Sequence, residues 1–218
     1  MFNLEPKQLN SSNIVKKILV ILLSAVALFT CANASAQSTE WRVGLGYAST
    51  SFNGDDCSTY LKEHSLGGVY FGVAKEFYFS TLAGLTFEPG VFFYYQSGKS
   101  GLNTDPKFIK MTYLSVPLNI KYNIEASPEF LLGLYTGPVL NIGTGGNVFS
   151  KDKFITNTDI ADPMHKLTQM NIQWGFGATA AISEAVQIRL GYALGLSRLV
   201  KERDVHNNTF SVGVAFMF

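Results

Sequence analysis

The sequence has few charged residues and only two cysteines. Charged residues make up 15% of the 218 positions, whereas hydrophobic residues make up 47%. That composition excludes a disordered, charge-rich chain. The formal net charge of +1 leaves no surplus of basic residues to hold a phosphate backbone, so we expect no nucleic-acid partner. The length suits one domain or at most two small ones.

Long hydrophobic runs are missing except near the N-terminus. There, Lys16 and Lys17 precede the apolar run Ile18–Thr30, and the small residues Ala34 and Ala36 follow it. A charged start, an apolar centre and a small-x-small end are typical of a secretory signal peptide cleaved after Ala36. A membrane anchor is the alternative, but the run is shorter than the ~20 residues that a membrane helix needs.

Removal of residues 1–36 leaves a mature domain that spans residues 37–218 and retains one cysteine, Cys57. An internal disulfide is therefore excluded in that domain, and we interpret Cys57 as an incidental thiol. Cys31 leaves open a lipoprotein, in which lipid is attached to that residue. The bulky pair Phe29-Thr30 before it fits that alternative poorly.

Hydrophobic residues alternate with small or polar ones through most of the mature domain. At the C-terminus, Phe210, Val212, Val214, Phe216 and Phe218 share one parity, and small residues occupy the other. Successive side chains of a strand point to opposite faces, so this pattern predicts strands and not helices. The predicted strands cover residues 41–48, 69–74, 85–96, 114–122, 132–140, 172–179, 186–197 and 210–218.

The connections between the eight segments alternate in length. Long polar intervals are expected at 49–63, 97–109, 142–168 and 199–208, and short turns at 76–80, 123–128 and 183–185. An even number of strands with long loops on one side and short turns on the other is typical of bacterial outer-membrane barrels. We therefore predict an all-β, eight-stranded antiparallel transmembrane barrel in the outer membrane, with both termini of the mature chain in the periplasm.

A soluble β-sandwich would show a similar alternation. Two features favour the barrel: the polar parity is small and carries charges, and the apolar parity carries aromatic residues near strand ends. Such aromatic residues are expected at the two membrane interfaces. They are Trp41, Tyr47, Tyr95, Tyr122, Trp174, Phe210 and Phe218.

The polar parity places Arg42, Glu88, Lys121 and Arg189 inside the barrel. We expect an ion pair between Glu88 and either Arg189 or Arg42. Eight strands leave an interior that side chains can fill, so a filled interior is favoured over a conducting lumen. The other residues expected to face inward are Gln96, Asn119, Tyr135, Gln173 and Gln187.

The last strand is expected to pair with the first, because an open sheet edge is not tolerated in lipid. Phe216 and the terminal Phe218 resemble the signal that barrel-assembly machinery reads on its clients, and that machinery and outer-membrane lipid are the expected partners. Pro117 lies on the inward parity within a strand. Since proline cannot donate to the ladder, we expect a bulge or a local break in pairing there.

The sequence shows no motif for catalysis, metal binding or cofactor binding. His64, His165 and His206 are isolated in or beside loops, and only a coincidence of the fold would bring His64 to Ser197 and Glu202. Acyl transfer requires a histidine beside a nucleophile, so we expect no enzyme and no cofactor. The polar connection at 142–168 is expected to be a solvated loop, with ligand or partner binding as the alternative.

The strand Tyr113-Leu-Ser-Val-Pro-Leu-Asn-Ile-Lys-Tyr122 resembles one that recurs in the outer-membrane β-barrel family of Bacteroidota, which includes PorT-like proteins. The segments 87–90, 133–138 and 192–196 and the terminal Phe218 fit the same resemblance. It implies an integral barrel with a structural or interaction role through its outer loops. The alternatives are an accessory component of a secretion or envelope complex, a narrow channel and a lipid-modifying enzyme.

Overall fold

A computed structural model gives the fold of the protein. It describes residues 38–55, 65–79, 82–100, 107–127, 129–150, 153–155, 170–182, 185–198 and 204–218. The predicted signal peptide, with Ala34 and Ala36, lies outside these residues, as do Cys57, His64, His165 and Glu202. In the described part of the chain, no helix is long and apolar enough to cross a membrane.

The described residues form nine antiparallel strands in one closed sheet. Eight of them make the barrel wall in the order β1-β2-β3-β4-β5-β7-β8-β9, and pairing of β9 with β1 closes the ring. The short β6 adds only to the end of β5. The strands are β1 (Ser38–Asn53), β2 (Leu66–Tyr78), β3 (Leu85–Ser100), β4 (Lys107–Ser127), β5 (Phe130–Ser150), β6 (Lys153–Ile155), β7 (Met170–Ile182), β8 (Val186–Gly195) and β9 (His206–Met217). The predicted eight-stranded antiparallel barrel is confirmed.

Burial alternates along the strands as the sequence pattern predicts. In β7, for example, Gln173 is buried while the flanking Ile172 and Trp174 are exposed. All seven aromatic residues expected at the membrane interfaces are exposed on the outside of the barrel. The end of β2 departs from this alternation, because Ala74, Lys75, Glu76 and Phe77 are all buried. The ammonium of Lys75 lies 5.1 Å from the ring centroids of Trp41 and Phe77. The outer surface is therefore an apolar band, as a lipid-facing wall requires.

The seam between the first and last strands is hydrogen-bonded as far as the C-terminal residue. The amide of Trp41 donates to the carbonyl of Phe218 at 2.9 Å, and the amide of Phe218 donates back to Trp41 at 3.0 Å. The amide of Met217 donates to Ala185 at 2.9 Å on the other side. The last two residues of the chain thus satisfy backbone groups on both of their neighbours.

Several strands are longer than the sequence pattern predicts. The segment expected as a loop at 97–109 supplies the ends of β3 and β4, and the segment at 142–168 supplies the end of β5 and all of β6. β4 and β5 each have 21 residues. Strand pairing continues past the apolar band because it needs only backbone partners, whereas the sequence alternation marks only the part of each strand that faces lipid.

The turns at the termini end of the barrel also differ from the prediction. β2 continues to Tyr78, and the turn expected at 123–128 shortens to two residues between β4 and β5. The turn at 183–185 has the predicted bounds. In the β2–β3 turn, Gly84 has a φ of 80° and its carbonyl accepts the amide of Asn123 at 2.7 Å, a conformation that glycine adopts without strain.

Pro117 interrupts the ladder without changing its register. The β3–β4 pairing stops between Pro89–Leu118 and Phe92–Ser115 and then resumes with the same offset. The irregularities in the β4–β5 register lie elsewhere, at Thr112/Tyr113 and at Glu125/Ser127. Of the two predicted outcomes, a local break is therefore present and a bulge at Pro117 is not.

Glycine on the inner wall allows close approach of neighbouring strands. A Cβ atom at Gly177 would overlap the carbonyl oxygen of Leu190 and the hydroxyl end of Tyr135. We predict that Gly177→Ala lowers the free energy of unfolding by about 1–3 kcal/mol, because it overpacks the lumen. Urea unfolding of the refolded barrel, followed by the fluorescence of its tryptophans, measures the change.

The matched control for this change is Ala178→Val, which alters the neighbouring position on the opposite face of β7. Its side chain points away from the lumen, so we expect a much smaller change in stability. Equal destabilisation by the two variants would contradict the overpacking argument.

Candidate functional site

The four charged residues predicted to face inward meet at the termini end of the lumen. Arg42, Glu88 and Lys121 are at most 2% exposed, and Arg189 is 16% exposed. Glu88 contacts both arginines: it accepts from Arg42 Nη1 at 3.3 Å and forms a shorter ion pair with Arg189. The structure therefore places Glu88 against both of the partners proposed from the sequence.

A second buried carboxylate, Glu76, was not among the residues predicted from the sequence. It is fully buried, pairs with Arg42, and accepts from Lys121 Nζ at 3.1 Å and from Asn123 Nδ2 at 2.8 Å. The parity that places Tyr70 and Ala74 inward also places Glu76 inward. The sequence pattern predicts a turn at residues 76–80 and therefore does not identify Glu76, whereas β2 continues to Tyr78.

Glu40 completes this cluster at the rim of the barrel. Its side chain is 25% exposed, accepts from Arg42 Nη2 at 2.6 Å and accepts from the Tyr78 hydroxyl at 3.1 Å. We call the whole cluster the charged layer; its ionisable members are Glu40, Arg42, Glu76, Glu88, Lys121 and Arg189. Three basic and three acidic side chains give it no net charge, so each buried ion has a partner, as burial requires.

Aromatic side chains project into the middle of the lumen, next to the charged layer. Tyr94 stacks between Tyr70 and Tyr113, with ring centroids 5.0 and 4.8 Å away. The guanidinium carbon of Arg189 lies 3.9 Å from the ring centroid of Tyr135, a cation–π contact. Tyr70, Phe92 and Tyr135 lie against inward-facing glycines, where Cβ atoms would collide with these rings.

Uncharged amides and hydroxyls occupy the far end of the lumen. Thr50 donates to Gln96 at 2.9 Å, and Asn141 donates to Gln173 at 2.8 Å. Gln173 in turn donates to the backbone carbonyl of Asn207 at 2.8 Å. The buried side chains of Phe52, Leu66 and Val205 lie at this same end. The lumen is therefore occupied by side chains at both ends, as the filled-interior prediction requires.

The residues considered for catalysis do not assemble a site in the described part of the chain. His206 Nε2 lies 3.1 Å from Asp204, whose pKa is held below its usual value by this contact. Ser197 is engaged by Asn171 at 3.0 Å and by the amide of Ile172 at 2.8 Å. Among the described residues, no group of three or more His, Cys, Asp or Glu side chains could hold a metal ion.

The sequence of the chain matches a family model described as outer membrane protein beta-barrel domain, over residues 21–218. The chain belongs to this family. Family membership and the closed barrel together place this barrel protein in the outer membrane. No curated protein matches the sequence of this outer-membrane barrel.

Several solved structures are similar to this family member. Neisserial surface protein A is 14% identical, with a TM-score of 0.49 over 84% of this chain and all of its own. Ail, the attachment invasion locus protein of Yersinia pestis, is 15% identical, with a TM-score of 0.42 and the same coverage. The outer membrane enzyme PagL is 12% identical, with a TM-score of 0.49 over 79% of this chain and 97% of its own.

The charged layer generates a test of stability. We predict that Glu76→Gln lowers the free energy of unfolding by about 3–5 kcal/mol, because it leaves Arg42 and Lys121 buried with one carboxylate fewer between them. The matched control is Glu40→Gln at the exposed rim, which should cost at most about 1 kcal/mol. Urea unfolding of both variants in the same detergent makes the comparison, and equal losses would contradict the assignment of Glu76 as the buried counter-ion.

Proposed function

We propose that this outer-membrane barrel is a non-conducting scaffold that presents its longer connections to a ligand or partner outside the cell. The observation that carries this proposal is the occupied lumen. The charged layer crosses the interior through contacts among β1, β2, β3, β4 and β8, and the amide cluster lies across the far end. A barrel filled in this way leaves its loops as the surface available for specific contacts.

We further propose that both termini of the mature chain lie in the periplasm. At the end of the barrel that holds Ser38 and Phe218, the connections between strands are short, including the two-residue turn between β4 and β5. At the opposite end, the connections between β1 and β2, between β6 and β7 and between β8 and β9 are longer, whereas residues 101–106 between β3 and β4 form a short one. β4 and β5 extend toward this end as paired strands. Short periplasmic turns and long outer loops are the usual arrangement of such barrels.

The proposed insertion route uses barrel-assembly machinery that reads the C-terminal strand. Phe216 and Phe218 support this proposal because both side chains are exposed on the lipid side, at 52% and 73%. The backbone of Phe218 is at the same time engaged with Trp41 in the closing seam. The exposed rings are thus available on the strand that completes the ring.

The filled lumen makes a prediction about conductance. Purified protein in planar lipid bilayers should show no discrete ion-conducting steps, since the paired side chains of the charged layer lie across the lumen. Glu76→Gln combined with Lys121→Met, which removes one pair of charges, provides a weakened plug for comparison. Regular open-channel steps in the wild-type protein would contradict the scaffold proposal.

The proposed orientation is tested on intact cells. An epitope inserted in the connection between β6 and β7 should bind antibody without permeabilisation. The same epitope in the β7–β8 turn should bind only after the outer membrane is broken. The reverse pattern would overturn the orientation while leaving the barrel itself unaffected.

A role as an accessory component of a secretion or envelope complex of Bacteroidota is the second proposal. The strand Tyr113–Tyr122, now seen as the central part of β4, supports it through its resemblance to PorT-like proteins. Purification from detergent-solubilised membranes tests the idea. Recovery of other envelope proteins in fixed stoichiometry would support it, and recovery of the barrel alone would not.

We also propose that the protein is not an enzyme. This rests on the contacts of Ser197 and His206 in the described part of the chain, which are with Asn171, Ile172 and Asp204 and not with each other. The lipid-modifying alternative is checked with His64→Ala. Lipid A analysed by mass spectrometry should be the same in cells that express the wild type, the variant or neither.

A further inference from the structure

A cavity of about 70 Å³ lies in the middle of the lumen, between the charged layer and the amide groups at the far end. Tyr70, Phe92 and Tyr94 supply aromatic rings to its wall, and Ser115 and Ser211 supply hydroxyl groups. A water molecule needs ~10–15 Å³ of such space and two to four polar partners. The cavity is therefore large enough for several water molecules.

The hydrogen bonds at the far end decide which atom of Asn141 is left without a partner. The backbone carbonyl of Asn207 can only accept, so Gln173 presents its Nε2 there, at 2.8 Å. The Oε1 of Gln173 therefore accepts from Asn141 Nδ2, also at 2.8 Å. Asn141 lines the cavity and is only 6% exposed, and its Oδ1 has no hydrogen-bond partner among the described residues.

A second acceptor without a partner lines the same cavity beside the charged layer. Asn119 is opposite Glu88 in the β3–β4 register and is only 1% exposed. Its Oδ1 has no hydrogen-bond partner in the part of the chain that the structure describes. Burial of a carbonyl oxygen without a donor costs free energy. The two asparagines therefore favour an occupant that donates hydrogen bonds.

The charge beside the cavity is already balanced. Among the described residues that line it, Arg189 is the only charged one, and Glu88 pairs with this guanidinium. An anion would meet the two unpartnered oxygens, whereas a cation would meet Arg189. A neutral donor avoids both conflicts. Water is such a donor, and it can also accept from the hydroxyl groups of the wall.

We propose that this cavity binds a cluster of water molecules, in which one molecule donates to Asn119 Oδ1 and another donates to Asn141 Oδ1. The remaining molecules exchange hydrogen bonds with the hydroxyl groups of the wall. The cluster links the charged layer to the amide groups at the far end by hydrogen bonds. The site is separate from the connections on which the proposed scaffold function rests, so the two proposals are tested independently.

A crystal structure of the wild-type protein, at a resolution that shows ordered water, tests the cluster directly. We expect separate density peaks in the cavity, one within hydrogen-bonding distance of Asn119 Oδ1 and another within that distance of Asn141 Oδ1. Crystals soaked in rubidium chloride provide the matched test for a cation, because bound rubidium gives an anomalous peak. An empty cavity, or a rubidium peak at either oxygen, would overturn the proposal.

Two substitutions of nearly equal volume at Ala193, which lines the cavity, test the same point in solution. Threonine and valine fill the space to the same extent, but only threonine brings a hydroxyl group. In a hydrated cavity that hydroxyl replaces hydrogen bonds of the displaced water. We expect the thermal unfolding midpoint of Ala193→Thr to be about 2–4 °C above that of Ala193→Val, which is the shift that one hydrogen bond gives a chain of this size.

The same pair of substitutions at Ala178, on the lipid side of β7, provides the control. A hydroxyl group there has only hydrocarbon around it, so Ala178→Val should have a higher midpoint than Ala178→Thr. If valine also exceeds threonine at Ala193, the cavity is dry and the proposal is overturned. The crystal measurement uses the wild type alone, so it decides the question even if a variant at Ala193 does not refold.

Discussion

Every backbone amide and carbonyl within a bilayer needs a partner inside the protein, because the hydrocarbon offers none. In this chain that requirement is met only when β9 reaches β1. The reciprocal hydrogen bonds between Trp41 and Phe218 join the first and last described strands, and Met217 bonds the β7–β8 turn on its other side. That closure separates a lumen from the lipid-facing surface. The alternation of side chains, the inward-facing charges and the inward-facing glycines all depend on this separation.

Closure also creates an interior in which polar side chains need partners within the protein. Eight strands enclose a narrow space, and polar side chains directed into it lose most of their contact with water. Ion pairs offset this loss of hydration. Glu76 pairs with Arg42 and Lys121, and Glu88 pairs with Arg42 and Arg189. Tyr70 and Tyr135 lie over glycines of strands one or two positions away in the sheet, so the absence of a side chain on those strands leaves room for the rings.

The sequence predicted the architecture because lipid and lumen impose opposite chemistry on neighbouring residues, which leaves a period-two pattern. It also predicted which side Arg42, Glu88, Lys121 and Arg189 face. It did not predict Glu76, because the apolar signal of β2 fades before the strand ends while backbone pairing continues to Tyr78. The lengths of β4 and β5 were underestimated for the same reason. The pairing of each carboxylate with a particular cation depends on strand register and on the tilt of the strands in the barrel. The alternation of hydrophobic and polar residues along one strand predicts neither of these.

The wide separation in sequence of the ion-pair partners has a consequence for biogenesis. Arg42 and Lys121 find their carboxylates within the first four strands, at separations of 46 and 45 residues, whereas Arg189 reaches Glu88 across 101 residues. A sheet assembled from the later strands without β3 would contain Arg189 but not its partner Glu88. An unpaired charge is costly inside hydrocarbon. The chain therefore favours a route in which early and late strands meet before they leave the membrane surface, so that translocation and ring formation become one cooperative event.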